Sequence, residues 1–215
     1  MEVTMKLQIA MDFDDMEKAL SVLRETADKV DIIECGTDML IRFGIEAVSR
    51  LKNLYPDKLV LCDQKIMDGG YYFGCMAANF GADIFTVLGA AGNDTIQGAI
   101  QAAKERHIKV LVDMCNVDNY LERAKDVIAW GADYVCVHTP TDEQQKVSYH
   151  KRIGEISAQI GKEHCAVAGG INPDKCVYLK QIQPEIIIVG SYITGSDDPK
   201  KSIEQIREVL YDEAL

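Results

Sequence analysis

The chain has 215 residues and a net charge of −11 at pH 7. Its composition, 47% hydrophobic and 27% charged, is that of an ordinary globular protein and excludes disorder, collagen-like repeats and a disulfide miniprotein. The acidic balance argues against nucleic acid or an anionic membrane as main partner, since both need a positive footprint, while one phosphate can still sit on a helix N-terminus.

Short β-branched runs alternate with helix-period stretches along the whole sequence. The predicted strands are Lys6–Met11, Asp31–Cys35, Leu59–Asp63, Ile84–Val87, Val110–Asp113, Tyr134–His138, Ala166–Ala168 and Ile186–Val189. Each is apolar on both faces, as a strand covered on both sides of a parallel sheet must be. Amphipathic helices are predicted over Asp15–Ala27, Met39–Leu54, Asp94–Glu105, Tyr120–Trp130 and Pro199–Tyr211. Gly81 and Gly131 are placed to cap two helices, and Pro184 to stop a third. Asp197 and Asp198 read as the cap of the last helix, with Pro199 in its first turn.

Eight β-then-α units without a linker or charge block predict one α/β domain over residues 1–215, a (β/α)8 TIM barrel. The competitor is a doubly wound open sheet. That fold favours a Gly-rich turn after strand one, where this chain has Asp12-Phe13-Asp14-Asp15. Met1–Met5 lacks the pattern of a signal peptide, and the longest apolar stretch, around Ile186–Val189, is far too short to span a bilayer. Seven Cys without a C-x-x-C pair read as reduced thiols. A cytoplasmic protein is the expectation.

The ionisable residues gather at C-terminal strand ends, the face where barrels place their chemistry. Asp12, Glu34, Asp63, Asp113 and His138 each end or follow a strand, and Lys65 lies two residues past Asp63. Alternation puts Asp63 and Lys65 on one side and Cys62 on the other; likewise Glu34 faces in and Cys35 out. Cys35 and Cys62 therefore read as packing thiols. Asp63-Gln64-Lys65-Ile66-Met67-Asp68 has the form D-x-K-x-x-D. A Lys between two carboxylates stays charged, which suits an oxyanion partner and not a Schiff base. Asp63 with Glu34 could hold a hard divalent cation. The competing reading of Asp63 and Lys65 is a purely internal ion pair. Ala168-Gly169-Gly170 and Gly190-Ser191 follow strands seven and eight, where barrels bind phosphate. His107, His150 and His164 read as surface residues, and Trp130 as core.

Leu7-Gln8-Ile9-Ala10-Met11-Asp12, Glu34-Cys35-Gly36-Thr37, the D-x-K-x-x-D segment with Gly69-Gly70, Val112-Asp113-Met114, Val137-His138-Thr139, Ala168-Gly169-Gly170 and Val189-Gly190-Ser191 occur in order along the chain. Together they resemble the 3-hexulose-6-phosphate synthase family, within the orotidine 5′-phosphate decarboxylase superfamily. The resemblance implies a Mg²⁺-dependent, reversible aldol reaction of ribulose 5-phosphate with formaldehyde. By position it implies Glu34 and Asp63 as metal ligands and Lys65 as partner of the enediolate. His138, with Asp113 beside it, would handle the C1 proton. Asp12 would bind substrate hydroxyls, and Gly170, Gly190 and Ser191 the phosphate. It further implies a homodimer with shared active sites, in which Asp68 reaches into the neighbouring subunit.

The related 3-keto-L-gulonate-6-phosphate decarboxylases typically carry Glu where this chain has Asp113. They also have an Arg shortly after the His and another where Ser191 stands. Departures from the synthase pattern are Gln64, Pro140 and the segment Glu143–Val147, which lies near the substrate. A third reading, a non-catalytic sugar-phosphate-binding barrel, has no need of so many charged residues at one mouth.

Overall fold

A computed structural model describes residues 5–140, 142 and 149–211. Eight parallel strands close into a barrel in sequence order, β1 pairing with both β2 and β8. They are β1 Lys6–Met11, β2 Ile32–Cys35, β3 Leu59–Ile66, β4 Ile84–Leu88, β5 Lys109–Asp113, β6 Tyr134–His138, β7 Cys165–Ala168 and β8 Ile186–Val189. The helices are α1 Met16–Thr26, α2 Thr37–Phe43, α3 Glu46–Leu54, α4 Gly70–Asn79, α5 Asn93–Arg106, α6 Tyr120–Trp130, α7 Tyr149–Ile160, α8 Pro173–Ile182, α9 Ser191–Thr194 and α10 Pro199–Tyr211. The expected TIM barrel is the observed one. The segment Glu143–Val147 and the side chain of His150 lie outside the described residues.

Alternation along each strand divides the core in two. Ala10, Ile32, Leu61, Ile84, Leu111, Cys136, Ala166 and Ile186 fill the barrel interior. Their strand neighbours, including Ile9, Ile33, Cys35, Val60, Cys62, Phe85 and Val112, pack outward against the helices. Cys35 and Cys62 are thus outward packing thiols, and burial pushes Cys35 up to about 12 and Cys62 up as well. No disulfide forms among the described residues.

Three boundaries differ from the sequence reading for local reasons. The helix expected over Met39–Leu54 is two, because Gly44 turns left-handed at φ 72 and accommodates the break after α2. α8 ends on Gln183 at φ 56, one residue before the expected proline stop. β3 runs past Asp63 to Ile66 through a register shift against β4. Asp15, read as the first residue of the first helix, is instead the cap of α1, while two expectations hold in detail: Asp198 Oδ1 accepts from Lys201 N at 2.9 Å, and Trp130 packs on the core beneath Arg123. His107 is exposed, whereas His164 is half-buried with Nδ1 2.9 Å from the Asp133 carbonyl.

A repeated device closes the N-terminal end of the barrel. Asp31, Asp83 and Asp133 each precede an even-numbered strand, and each accepts the backbone N–H of the second residue of the strand before it. The distances are 2.8 Å to Leu7, 2.8 Å to Val60 and 3.0 Å to Val110. Asp83 also takes Lys52 Nζ at 2.8 Å. An N–H left without a partner in such a place is costly. Asp83→Ala is therefore expected to lower the unfolding free energy by about 1–3 kcal/mol at unchanged m-value, measured by urea titration.

Candidate active site

The inward positions change from apolar to polar at the C-terminal end of the strands. On β1, Gln8 and then Ala10 lead to Asp12; on β2, Ile32 leads to Glu34. On β3, Leu61 leads to Asp63; on β4, Ile84 leads to Thr86. On β5, Leu111 leads to Asp113; on β6, Cys136 leads to His138. Glu34, Asp63, Thr86 and Asp113 are buried. Charges in such a place persist only when paired and hydrogen-bonded.

Asp63 is the most heavily tied of them. Its Oδ2 takes the Thr37 hydroxyl at 2.8 Å and the Lys65 ammonium, and its Oδ1 takes the Thr86 hydroxyl at 2.8 Å. Lys65 Nζ also reaches Thr37 Oγ1 at 3.0 Å. Burial alone would weaken the Lys65 ammonium, but the charge and hydrogen bond of Asp63, followed by Glu34 and Asp113, outweigh it and raise its pKa. Lys65 stays protonated, as expected, though not for the reason its flanking residues suggest. Asp68 is exposed, with Oδ1 accepting from the N–H of Gly69 at 2.7 Å, and the anions that hold Lys65 are Asp63, Glu34 and Asp113. Within this chain the structure does not bring Asp68 to Lys65.

Glu34 lies deeper. Burial, then the charges of Asp63 and Asp12, hold its carboxyl pKa well above the usual range. Gln8 Nε2 donates to its Oε2 at 2.5 Å, and Gln8 Oε1 is buried without a hydrogen-bond partner. Asp12 stands at the rim. Its surface is open to the mouth, yet the protein around it displaces enough water to raise its pKa, with Asp63 the next cause. Gly36 makes room for it: a Cβ there would lie 2.1 Å from Asp12 Oδ1.

Opposite, Asp113 Oδ2 lies 2.8 Å from His138 Nδ1, and Asp113 Oδ1 accepts the Cys115 N–H at 2.9 Å. Burial would lower the imidazole pKa, but the hydrogen bond and charge of Asp113 raise it. This is the geometry of an oriented acid–base histidine, with Nδ1 engaged and Nε2 the nitrogen left for a reacting group.

The glycine loops follow β7 and β8 as expected. Gly169, at φ 105, packs so closely on β6 that a Cβ would lie 2.3 Å from the Thr139 carbonyl oxygen. Gly170 also has positive φ, and Gly190 leads into α9, which begins at Ser191. These loops carry backbone N–H groups at the end of the barrel where the acids sit.

The donor set suits a hard cation. Glu34 and Asp63 repel each other and are repelled by Asp12, and all three bear oxygen ligands. Among the described residues no cluster of three or more His, Cys, Asp and Glu forms a ready-made cage. Glu34 and Asp63 are the residues whose oxygens could hold such a cation.

Beside the mouth, a groove of roughly 430 Å³ runs between α2, the end of β3 and α4, with Asp63 and Lys65 on its wall and Asp68 on its rim. Its outer edge is apolar: Ile41 is 77% exposed, Met67 56%, and Phe73 38%, with Tyr72 at 68% beside it. The α4–α5 contact is tight where Gly70 and Gly74 face α5 and Phe85. Of the aromatic residues between them, Tyr71 donates to Glu105 of α5 at 2.7 Å, while Tyr72 and Phe73 stay exposed beside the groove. A second hollow, between α7 and α8 near Lys162 and Ile182, is apart from the charged cluster. Sequence reading assigned no role to Gln8, Thr37 or Thr86. Their signal is polarity at inward positions of otherwise apolar strands, or one turn beyond.

Glu34 and His138 both have raised pKa values, so the native state holds their protons more tightly than the unfolded chain does. Each therefore adds stability that is full below its unfolded value and lost as pH rises through the folded one. In cation-free protein, stability should fall as pH climbs above 4.5 through Glu34 and above 6.5 through His138. Urea midpoints against pH should flatten in the lower range for Glu34→Gln and in the upper range for His138→Gln.

The profile of the orotidine 5′-phosphate decarboxylase / HUMPS family matches residues 5–206. The 3-hexulose-6-phosphate synthase of Bacillus subtilis strain 168 is 37% identical over 207 residues, covering 96% of this chain and 99% of that one. The crystal structure of 3-hexulose-6-phosphate synthase from Salmonella typhimurium superposes with a TM-score of 0.92 at 39% identity, over 98% of this chain and 100% of that one. The 3-keto-L-gulonate-6-phosphate decarboxylase of Vibrio cholerae follows at 26% identity and TM-score 0.86, over 99% and 100%. The barrel, its polar mouth and these matches agree: the chain belongs to the orotidine 5′-phosphate decarboxylase / HUMPS family and is an enzyme, a lyase akin to the 3-hexulose-6-phosphate synthases.

Proposed function

We propose that this protein is a cytoplasmic 3-hexulose-6-phosphate synthase that joins ribulose 5-phosphate to formaldehyde in a Mg²⁺-dependent, reversible aldol reaction. The observation that carries the reading is the meeting of two pairs at one barrel mouth. Lys65–Asp63, with Glu34 behind it, faces the His138–Asp113 pair closely enough that Lys65 and Asp63 act on the imidazole. An aldol reaction through an enediolate needs this combination: a base for a carbon-bound proton and fixed positive charge for the developing oxyanion.

Glu34 and Asp63 would hold the Mg²⁺, which when bound supplies Lewis-acid polarisation of the sugar oxygens. Asp12 accepts from sugar hydroxyls at the rim. The N–H groups around Gly170, Gly190 and Ser191 take the phosphate. His138 Nε2 removes a C1 proton while Asp113 holds the Nδ1–H and supports the imidazolium. Lys65 Nζ balances the enediolate oxygen charge. C1 then attacks the formaldehyde carbon, and His138 returns its proton to the new alkoxide. Asp113 also makes the neutral imidazole a stronger base, the sense of its raised pKa.

The reading includes a homodimer whose second copy covers the groove. Ile41, Met67, Tyr72 and Phe73 form an apolar rim around it, and Gln64 Oε1 is buried there without a partner. Such a patch supports an interface. Asp68, exposed at that rim, would complete the neighbour's site in such a dimer.

With ribulose 5-phosphate and Mg²⁺ present, formaldehyde should disappear, and chelation or omission of the sugar phosphate should stop the loss. If formaldehyde persists while 3-keto-L-gulonate 6-phosphate releases CO2, the protein is a decarboxylase on the same scaffold. Lys65→Ala should lower kcat by at least about 10²-fold with an unchanged circular dichroism spectrum. Normal turnover by that variant would remove Lys65 from the mechanism. Ile41→Asp with Tyr72→Asp should convert a sedimenting dimer into a monomer of much reduced activity.

A further inference from the structure

β3 and β4 pair regularly up to Cys62 and Phe85 and pair again at Ile66 and Val87. Asp63, Gln64 and Lys65 therefore stand opposite one residue, Thr86. The bulge holds Lys65 at φ 46, in the left-handed region that a residue with a Cβ seldom adopts. Bulged residues lose their ladder partners. The Lys65 N–H donates instead to the Thr86 hydroxyl oxygen at 2.9 Å. A hydroxyl has a single proton. With the oxygen accepting from Lys65, that proton goes to Asp63 Oδ1 at 2.8 Å. Thr86 is 4% exposed and Asp63 4%, so bulk water has little access to replace either bond.

We infer that Thr86 is a positioning residue for the Asp63–Lys65 pair, its hydroxyl fixing the backbone of one and the carboxylate of the other. The inference rests on reading that pair as part of the reacting centre. It acts through both partners at once, because the same oxygen accepts and donates. Valine has the shape of threonine and does neither. Serine does both. A role in packing alone would rank the variants the other way, with valine the milder change.

The test compares wild type, Thr86→Val and Thr86→Ser in two measurements. The first is steady-state turnover of ribulose 5-phosphate and formaldehyde with Mg²⁺. The second is hydrogen exchange of the Lys65 amide in substrate-free protein. Thr86→Val should lose about 10–100-fold in kcat with KM for the sugar phosphate within about threefold of wild type, as other supporting residues of this kind do. Thr86→Ser should recover most of that loss. The Lys65 amide should be protected in wild type and Thr86→Ser and exchange rapidly in Thr86→Val. Wild-type kcat in Thr86→Val, a Thr86→Ser variant as slow as Thr86→Val, or an unprotected Lys65 amide in wild type would each overturn the inference. Should Thr86→Val not fold, Thr86→Ser and the wild-type amide decide by the same criteria. A wild type that does not turn over these substrates refutes the proposed reaction, whereas an active wild type matched by Thr86→Val refutes the role of Thr86.

Discussion

The interaction on which this barrel mouth depends is the contact between the Lys65 ammonium and the Asp63 carboxylate. In a straight strand, residues two apart lie about 6.5 Å from each other, with side chains roughly parallel. The slip between β3 and β4 and the left-handed backbone at Lys65 break that spacing and bring the ammonium back onto Asp63. A buried ion pair is worth having only when further hydrogen bonds satisfy its remaining atoms. Thr37 and Thr86 supply them here. Without Lys65, Glu34 and Asp63 would face each other with Asp12 nearby and little to offset their repulsion. Burial first, then Asp63 and Asp12, raise the Glu34 pKa despite Lys65 and Gln8. A divalent cation would supply the positive charge that an ionised Glu34 lacks there, which is why the donor set suits one.

The two ends of the barrel use one residue type for opposite purposes. At the N-terminal end, Asp31, Asp83 and Asp133 spend their carboxylates on backbone N–H groups and on Lys52 and Lys109. Those acids are tied to structure. At the C-terminal end, Asp12, Glu34 and Asp63 crowd one another, and burial with that crowding raises the pKa of Asp12 and of Glu34. Stability at one end and reactivity at the other is the division the fold permits, because strand ends on opposite rims do not compete for the same partners.

The eight strands and the barrel were legible because strands buried on both faces leave uninterrupted apolar runs, and because no Gly-rich turn follows β1. The charged set was legible for the related reason that a charge ending such a run needs an explanation. What the sequence hid was geometry that depends on neighbours. The break at Gly44 sits inside a stretch whose apolar spacing continues across it. The extension of β3 to Ile66 depends on Thr86, a residue on another strand. The pairing of Lys65 with Asp68 suggested by D-x-K-x-x-D was misleading within one chain, since the bulge turns Lys65 inward while Asp68 stays on the surface. Gln8 showed only as a polar residue at an inward position of an apolar strand, with no role attached; only the fold places it under Glu34.

The segment from Asp63 to Phe73 joins the charged mouth to the apolar rim. Its first residues turn into the barrel, its middle carries Met67 and Asp68 to the surface, and its end starts α4 with the exposed aromatic residues. One stretch of backbone thus controls both the reacting centre and the face that the proposed second subunit would cover. Coverage of that face would exclude water from the groove wall where Asp63 and Lys65 sit, and every electrostatic interaction there would strengthen as the local dielectric falls. On this argument assembly and chemistry are coupled through the bulge. A change that loosens β3 against β4 disturbs the Lys65–Asp63 pair directly and the apolar rim through the same backbone, so the two properties are expected to fail together.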